Sequence, residues 1–276
     1  VNYSDILRRQ NRYFMPTPLP FALGSEAVGV VEALGEGVEA SFQLGTRVLA
    51  ILPQAGGYAT HVLAAAPYCI PLPPAISDLQ ATALFVQGST AQLLISQMVG
   101  QITGKTVLIH AAAGGVGSWL VQLCRLAGAK VIAASSSSAK MKLSDHLGAH
   151  LSVDYSQPHW THQVMAFTGG RGVDVLFEMV GGEVYNQGIR CVADGGLILV
   201  YGCASGVQGE IHPEYFVDHH LSQRGFNLAY FIQNQPQLWQ QALGEVIQLL
   251  AQGQVQVDSP HTFPLAAAAE SHATME

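Results

Sequence analysis

The middle of the chain alternates between short apolar runs and segments of helical spacing, and this rhythm leaves few folds open. Residues 106–111 form an apolar run of strand length. Residues 116–126 follow with Val116, Leu120, Leu123, Cys124 and Ala127 on one helical face. The pattern continues with strand 130–134, helix 139–147, strand 151–154, helix 160–167, strand 173–179, helix 184–192 and strand 197–201. Short buried strands separated by helices predict an α/β fold, a parallel doubly wound sheet with right-handed crossovers.

The first strand and helix are joined by Ala111-Ala112-Ala113-Gly114-Gly115-Val116-Gly117. Glycines here let the backbone approach a pyrophosphate and let the helix pack closely on its strand. The helix N-terminus offers unpaired N–H groups and a partial positive charge to the phosphates. A tight turn without a ligand is the bland alternative; the succession of βα units favours a dinucleotide site over Ala113, Gly114, Gly115, Val116 and Gly117. At the end of the second strand, an NAD site usually carries an acid for the ribose hydroxyls. This chain has Ser135, Ser136, Ser137 and Ser138, then Lys140; the nearest downstream acid is Asp145. Hydroxyls and an ammonium suit a 2′-phosphate, so Ser135, Ser136 and Lys140 point to NADPH. A capping cluster beside solvated lysines is the competing reading.

The first part, to residue 86, reads as strands 27–34 and 47–52 with glycine turns and prolines at 16–20 and 71–74 in loops. Beyond residue 226 the pattern loosens into a helix at 237–251 and a strand at 255–258. Of 276 residues, 49% are hydrophobic and 11% charged, enough apolar content for a sizeable core. The net charge of −7 and 12 scattered Lys and Arg exclude a general nucleic-acid binder. No apolar run reaches about 18 residues, and no signal peptide is expected. Cys69, Cys124, Cys191 and Cys203 lie far apart and read as free thiols, which fits the cytoplasm. The chain opens at Val1 without Met and stops inside the helical run 264–272, so a fragment is expected.

The loop at 110–117, the run Thr168-Gly169-Gly170-Arg171-Gly172-Val173-Asp174-Val175, the strand at 196–202, Val1-Asn2-Tyr3-Ser4-Asp5 and Gly24-Ser25-Glu26-Ala27-Val28-Gly29 together resemble the medium-chain dehydrogenase/reductase superfamily. Within it, the chain is most similar to the zinc-independent quinone oxidoreductases of the zeta-crystallin type. The resemblance covers essentially the whole chain. It implies a GroES-like, mostly-β catalytic domain from residues 1–86 and 227–276, truncated at both ends, with a Rossmann domain over 87–226. Zinc members resemble Gly-His-Glu where this chain has Gly24-Ser25-Glu26, and carry a Cys ligand near Asn2 where none lies; no metal is expected.

The resemblance implies hydride transfer from NADPH to a quinone or other α,β-unsaturated carbonyl. By the same likeness Asn2, Asp5 and Tyr13 line the substrate pocket, and either Tyr13 or water supplies the proton. Thr90 matches a position near the nicotinamide, and Lys140 and Tyr155 match the adenosine phosphate end. Gly202, Cys203 and Ser205 match a loop beside the cofactor, and Tyr230 and Phe231 one wall of the nicotinamide site. The chain departs from the family pattern at Leu7, Gln87 and Cys203, which obscures the choice of acceptor. A 2-alkenal or enoyl reductase of the same superfamily is one alternative; a non-catalytic NADPH-binding protein is another. Family members commonly pair, which implies a homodimer.

Overall fold

The computed structural model describes residues 1–38, 42–257 and 261–276. They divide into two compact units, residues 1–86 with 247–276, and residues 87–246.

In the first unit, β1 (Glu26–Val30), β2 (Arg47–Ile51) and β3 (Cys69–Pro71) form an antiparallel sheet in chain order. Val48, Leu49, Ala50 and Ile51 are buried, so β2 is the central strand of a small core. Before this sheet stands a helix, Tyr3–Arg9, that alternation of polar and apolar residues does not announce. Its start is set by a capping box: the Asn2 side chain and the Asp5 carboxylate serve each other's backbone N–H groups.

The second unit contains β4 (Thr106–His110), β5 (Lys130–Ser135), β6 (Leu151–Asp154), β7 (Val173–Glu178), β8 (Val192–Val200) and β9 (Ser222–Gly225). All pair in parallel, in the order β6-β5-β4-β7-β8-β9. Every residue of β4 is buried, as expected for a strand covered by helices on both faces. The crossover helices are Gly115–Leu126, Ser138–His146, Trp160–Phe167, Gly182–Gly188 and Pro213–Asp218. One core joins Leu108, Ile132, Val153, Leu176 and Ile198 from the sheet to Trp160, Val164 and Ile189 from the helices. Strand order reverses between β4 and β7, and in such sheets ligands bind outside the carboxyl ends of the strands at that switch point.

The structure departs from the expected elements in several places: β1 ends at Val30 and β8 begins at Val192, besides the following. Residues 78–99, within and beyond the stretch read as strands and turns, are helical: Asp78–Ala81, Ser89–Leu93, and π-helical turns at Leu84–Gly88 and Leu94–Val99. Their Leu, Ala and Gln content packs all round and lacks the period-2 pattern of a strand. The helix read at 184–192 begins at Gly182 and tightens into a 3-10 turn at Ile189–Cys191. The strand expected at 255–258 is not one over 255–257, although Val255 is buried, and Asp258 lies outside the described residues. β9 went unread because all four of its residues are exposed and none is a strong strand former; main-chain pairing to β8 alone defines it. The second unit also runs to Val246, past the boundary read at 226. Helix Pro236–Ala251 buries Trp239, Ala242, Leu243 and Val246, and Gln92 Nε2 donates to Glu245 Oε2 at 2.5 Å within that unit.

Candidate active site

In the second unit the chain leaves β4 at Ala111 with φ +50°, a left-handed turn for a residue other than glycine. The turn then enters helix Gly115–Leu126 through Gly114, which is extended. Gly114 and Gly115 are exposed while Gly117 is buried. A Cβ on Gly117 would lie 2.3 Å from the Ala111 carbonyl oxygen and 2.8 Å from Ala112 Cα. Only glycine permits that approach, which brings the helix start against the strand end. The Gly114 N–H donates to the Ala111 carbonyl at 2.9 Å, and no capping side chain serves the first-turn N–H groups that follow it.

Beside this turn lies a cleft of about 90 Å³ lined by Ala111, Ala113, Gly114, Ser135, Ser136, Lys140 and Tyr155. Six of these seven are residues the sequence singles out for the nucleotide; Ala111 opens the same loop. Ser135 ends β5, and its buried Oγ has no hydrogen-bond partner among the described residues. Lys140 Nζ lies 3.2 Å from Ser136 Oγ, and no carboxylate pairs with it among the described residues. Ser137 caps the next helix by accepting from the Lys140 N–H at 3.4 Å. Tyr155 hydrogen-bonds Ser136, and burial raises its phenol above the ordinary value against that bond. An orphaned hydroxyl, an ammonium without a carboxylate partner among the described residues and an uncapped helix start converge on one cleft. They suit a phosphorylated dinucleotide and have nothing to repel it.

Gly202, Cys203 and Ser205 lie in a loop after β8 that is bonded to the turn after β7. Ala204 N–H donates to the Met179 carbonyl at 2.8 Å, Ser205 N–H to Val180 at 2.9 Å, and Gly182 N–H to Val207 at 2.8 Å. Thr90 is buried within Ser89–Leu93 and does not line the cleft. Tyr230 and Phe231 part company: Phe231 is buried with its ring stacked 5.3 Å from Phe226, and Tyr230 is half exposed. Phe231 thus packs among buried residues, and its ring also meets that of Tyr230 at 5.8 Å.

The substrate candidates sit in the first unit. Asn2 is buried and its Nδ2 donates to Glu26 Oε1 at 2.7 Å. Asp5 accepts from the N–H groups of Asn2 (2.9 Å) and Gly24 (3.1 Å) and from the Tyr58 hydroxyl (3.4 Å). Its oxygens are thus engaged in holding the Tyr3–Arg9 helix to the Gly24 turn. Tyr58 Oη also lies 2.9 Å from His272 Nε2 on the last helix. Tyr13 has the Arg8 guanidinium 4.3 Å over its ring; burial raises its phenol, with Arg8 opposing. Sequence reasoning missed Glu26, Tyr58 and His272. Glu26 stands inside the quoted Gly24-Ser25-Glu26 motif, so its position was visible though its partner was not. Its Oε2 is sealed from solvent and unpartnered among the described residues, and burial pushes its carboxyl up to about 7 against the bond from Asn2.

The comparisons with known proteins match these two halves in turn. Residues 1–74 match a family described as the alcohol dehydrogenase GroES-like domain, and residues 115–248 one described as zinc-binding dehydrogenase. The chain is 32% identical to a quinone oxidoreductase of Pseudomonas aeruginosa, covering 99% of this chain and 83% of that protein. It belongs to the quinone oxidoreductase family of the medium-chain dehydrogenases/reductases. Among this oxidoreductase's relatives is also a 2-haloacrylate reductase of a Burkholderia species, 33% identical over 100% of this chain and 84% of that protein. The solved Escherichia coli quinone oxidoreductase, complexed with NADPH, superposes with a TM-score of 0.91 at 28% identity, covering 100% of this chain and 84% of that one. Among the described residues no group of three or more His, Cys, Asp or Glu could hold a metal.

Proposed function

We propose that this oxidoreductase uses NADPH to reduce a quinone or another α,β-unsaturated carbonyl without zinc. The observation that carries the reading is the cleft at the end of β5, where Ser135, Ser136 and Lys140 meet the glycine turn. The first-turn amides at Gly115 and Val116 hold the diphosphate; Ser135, Ser136 and Lys140 take the 2′-phosphate; Tyr155 closes the same end. When bound, the reduced nicotinamide supplies a hydride. The protein orients the partners and excludes water. Asn2 and Tyr13 present N–H and O–H groups to the acceptor oxygen. Burial raises the Tyr13 phenol, so the hydroxyl stays protonated and donates a hydrogen bond; either it or water supplies the proton that completes the reduction.

A reductase of activated alkenes is the second reading, favoured by the likeness to the 2-haloacrylate reductase. The free thiols fit a reducing, cytoplasmic compartment. The exposed edge strand β9 supports a homodimer.

The test is NADPH oxidation followed with parallel panels of quinones, enals and enoates. Turnover with quinones is expected, and turnover with alkenes alone would move the assignment to the second reading. Tight NADPH binding with no oxidation by any acceptor would instead mark a non-catalytic nucleotide-binding protein. Lys140→Glu is expected to raise the KM for NADPH about 10- to 100-fold and leave that for NADH nearly unchanged. An unaltered preference would remove Lys140 from the 2′-phosphate site.

A further inference from the structure

The two central strands of the parallel sheet, β4 and β7, end on a polar pair that the nucleotide site does not itself use. His110 and Glu178 lie one residue beyond the Ile109–Phe177 pairing, and each is 0–1% exposed. His110 Nδ1 bonds Glu178 Oε2. A carboxylate only accepts, so the ring nitrogen donates. The other oxygen, Oε1, accepts from the N–H groups of Val180 at 2.5 Å and Gly181 at 2.6 Å. Burial works against the Glu178 charge, but the bonds from His110, Gly181 and Val180 hold the carboxyl below its ordinary value.

The ring has no room to turn. A Cβ on Gly188 would come within 2.3 Å of His110 Cε1 and 2.6 Å of Nε2, and Nε2 has no partner among the described residues. Trp160 meets the ring edge-on at 5.6 Å, and Tyr155, which lines the cleft, lies at 6.4 Å.

Each partner leads directly into a loop of the nucleotide site. Ala111, with its left-handed backbone, follows His110 and opens the glycine turn. Glu178 fixes the turn at 179–182, which is bonded in turn to the loop at 202–207. Gly181 has φ +81°, and a Cβ there would lie 2.4 Å from the Val207 oxygen and 2.7 Å from Cys203 Sγ, so turn and loop are in close contact. One buried hydrogen bond therefore ties the phosphate turn to the paired loops across the point where strand order reverses.

We propose that His110 and Glu178 are positioning residues that keep the glycine turn and the 179–182 and 202–207 loops in register for nucleotide binding. This rests on the NADPH reading of the site. A pair that serves only packing would change thermal stability and leave the affinity of the folded protein alone. The proposal requires an affinity loss equal for NADPH and NADH, because the 2′-phosphate end is untouched.

Kd values for both nucleotides are to be measured by calorimetry on His110→Leu, His110→Asn and Glu178→Gln, with melting curves alongside. The leucine and glutamine variants are expected to weaken both nucleotides at least about tenfold, the scale of one hydrogen bond to a charged group. The asparagine variant, whose Nδ2 can stand in for Nδ1, is expected within about threefold of wild type. Should the leucine variant fail to fold, Glu178→Gln carries the same test, since it keeps the side-chain size and one acceptor. A folded leucine or glutamine variant with wild-type Kd overturns the proposal. Equal loss in the asparagine and leucine variants does so too, as does loss confined to NADPH. If wild type itself binds no nicotinamide nucleotide, the underlying reading fails instead.

Discussion

At the scale of single residues, Lys140 and Glu26 show two kinds of legibility. That Lys140 and the serines before it share one cleft was readable because the grouping is local: the end of β5 and the first turn of the next helix bring them together within six positions of sequence. Glu26 acts through Asn2, twenty-four residues away, and nothing in its neighbours in sequence announces burial. Its carboxyl, raised by burial to about 7 from an ordinary 4.5, makes stability depend on pH. Between those values the unfolded chain ionises while the folded protein keeps the proton. Folding is thus disfavoured progressively as pH rises from about 4.5 to 7, and the penalty is constant above that. Its size is on the order of 3 kcal/mol. Glu26→Gln, which keeps the Asn2 contact, is expected to abolish this slope in denaturant titrations run from pH 4.5 to 7.5. A variant whose pH profile parallels wild type would show that Glu26 is not the group responsible.

The strand–turn–helix at 106–126 is the element in which local sequence and tertiary demand agree most closely. The expected and observed strands at 151–154 and helices at 160–167 coincide as well. These elements carry their own signal in apolar period and in glycine placement. Gly117→Ala puts a methyl into backbone atoms at 2.3 and 2.8 Å. Overpacking of that kind costs about 1–3 kcal/mol, so the melting temperature is expected to fall by several degrees. NADPH binding is expected to weaken as the helix start moves off the strand end. A melting curve and nucleotide Kd indistinguishable from wild type would mean that the turn relaxes freely. β9 and the Tyr3–Arg9 helix were not legible for the opposite reason: a polar edge strand and a seven-residue helix take their definition from what they pair with or cap.

For the whole molecule, the exposed β9 edge leaves a row of main-chain groups that another copy can pair. Light scattering at micromolar protein is expected to report a dimer; a monomer at all concentrations would overturn that reading. The sequence alone determined the α/β class, the parallel sheet, the glycine turn and the side chains that line the cleft beside it. All of these are short-range consequences of period, propensity and backbone freedom. Only the tertiary structure decided that 227–246 packs with the nucleotide unit, that Asp5 is a buried anchor, that Phe231 belongs to the core, and that His110 meets Glu178. Those outcomes depend on contacts between residues far apart in the chain, whose desolvation and hydrogen bonding no local pattern encodes.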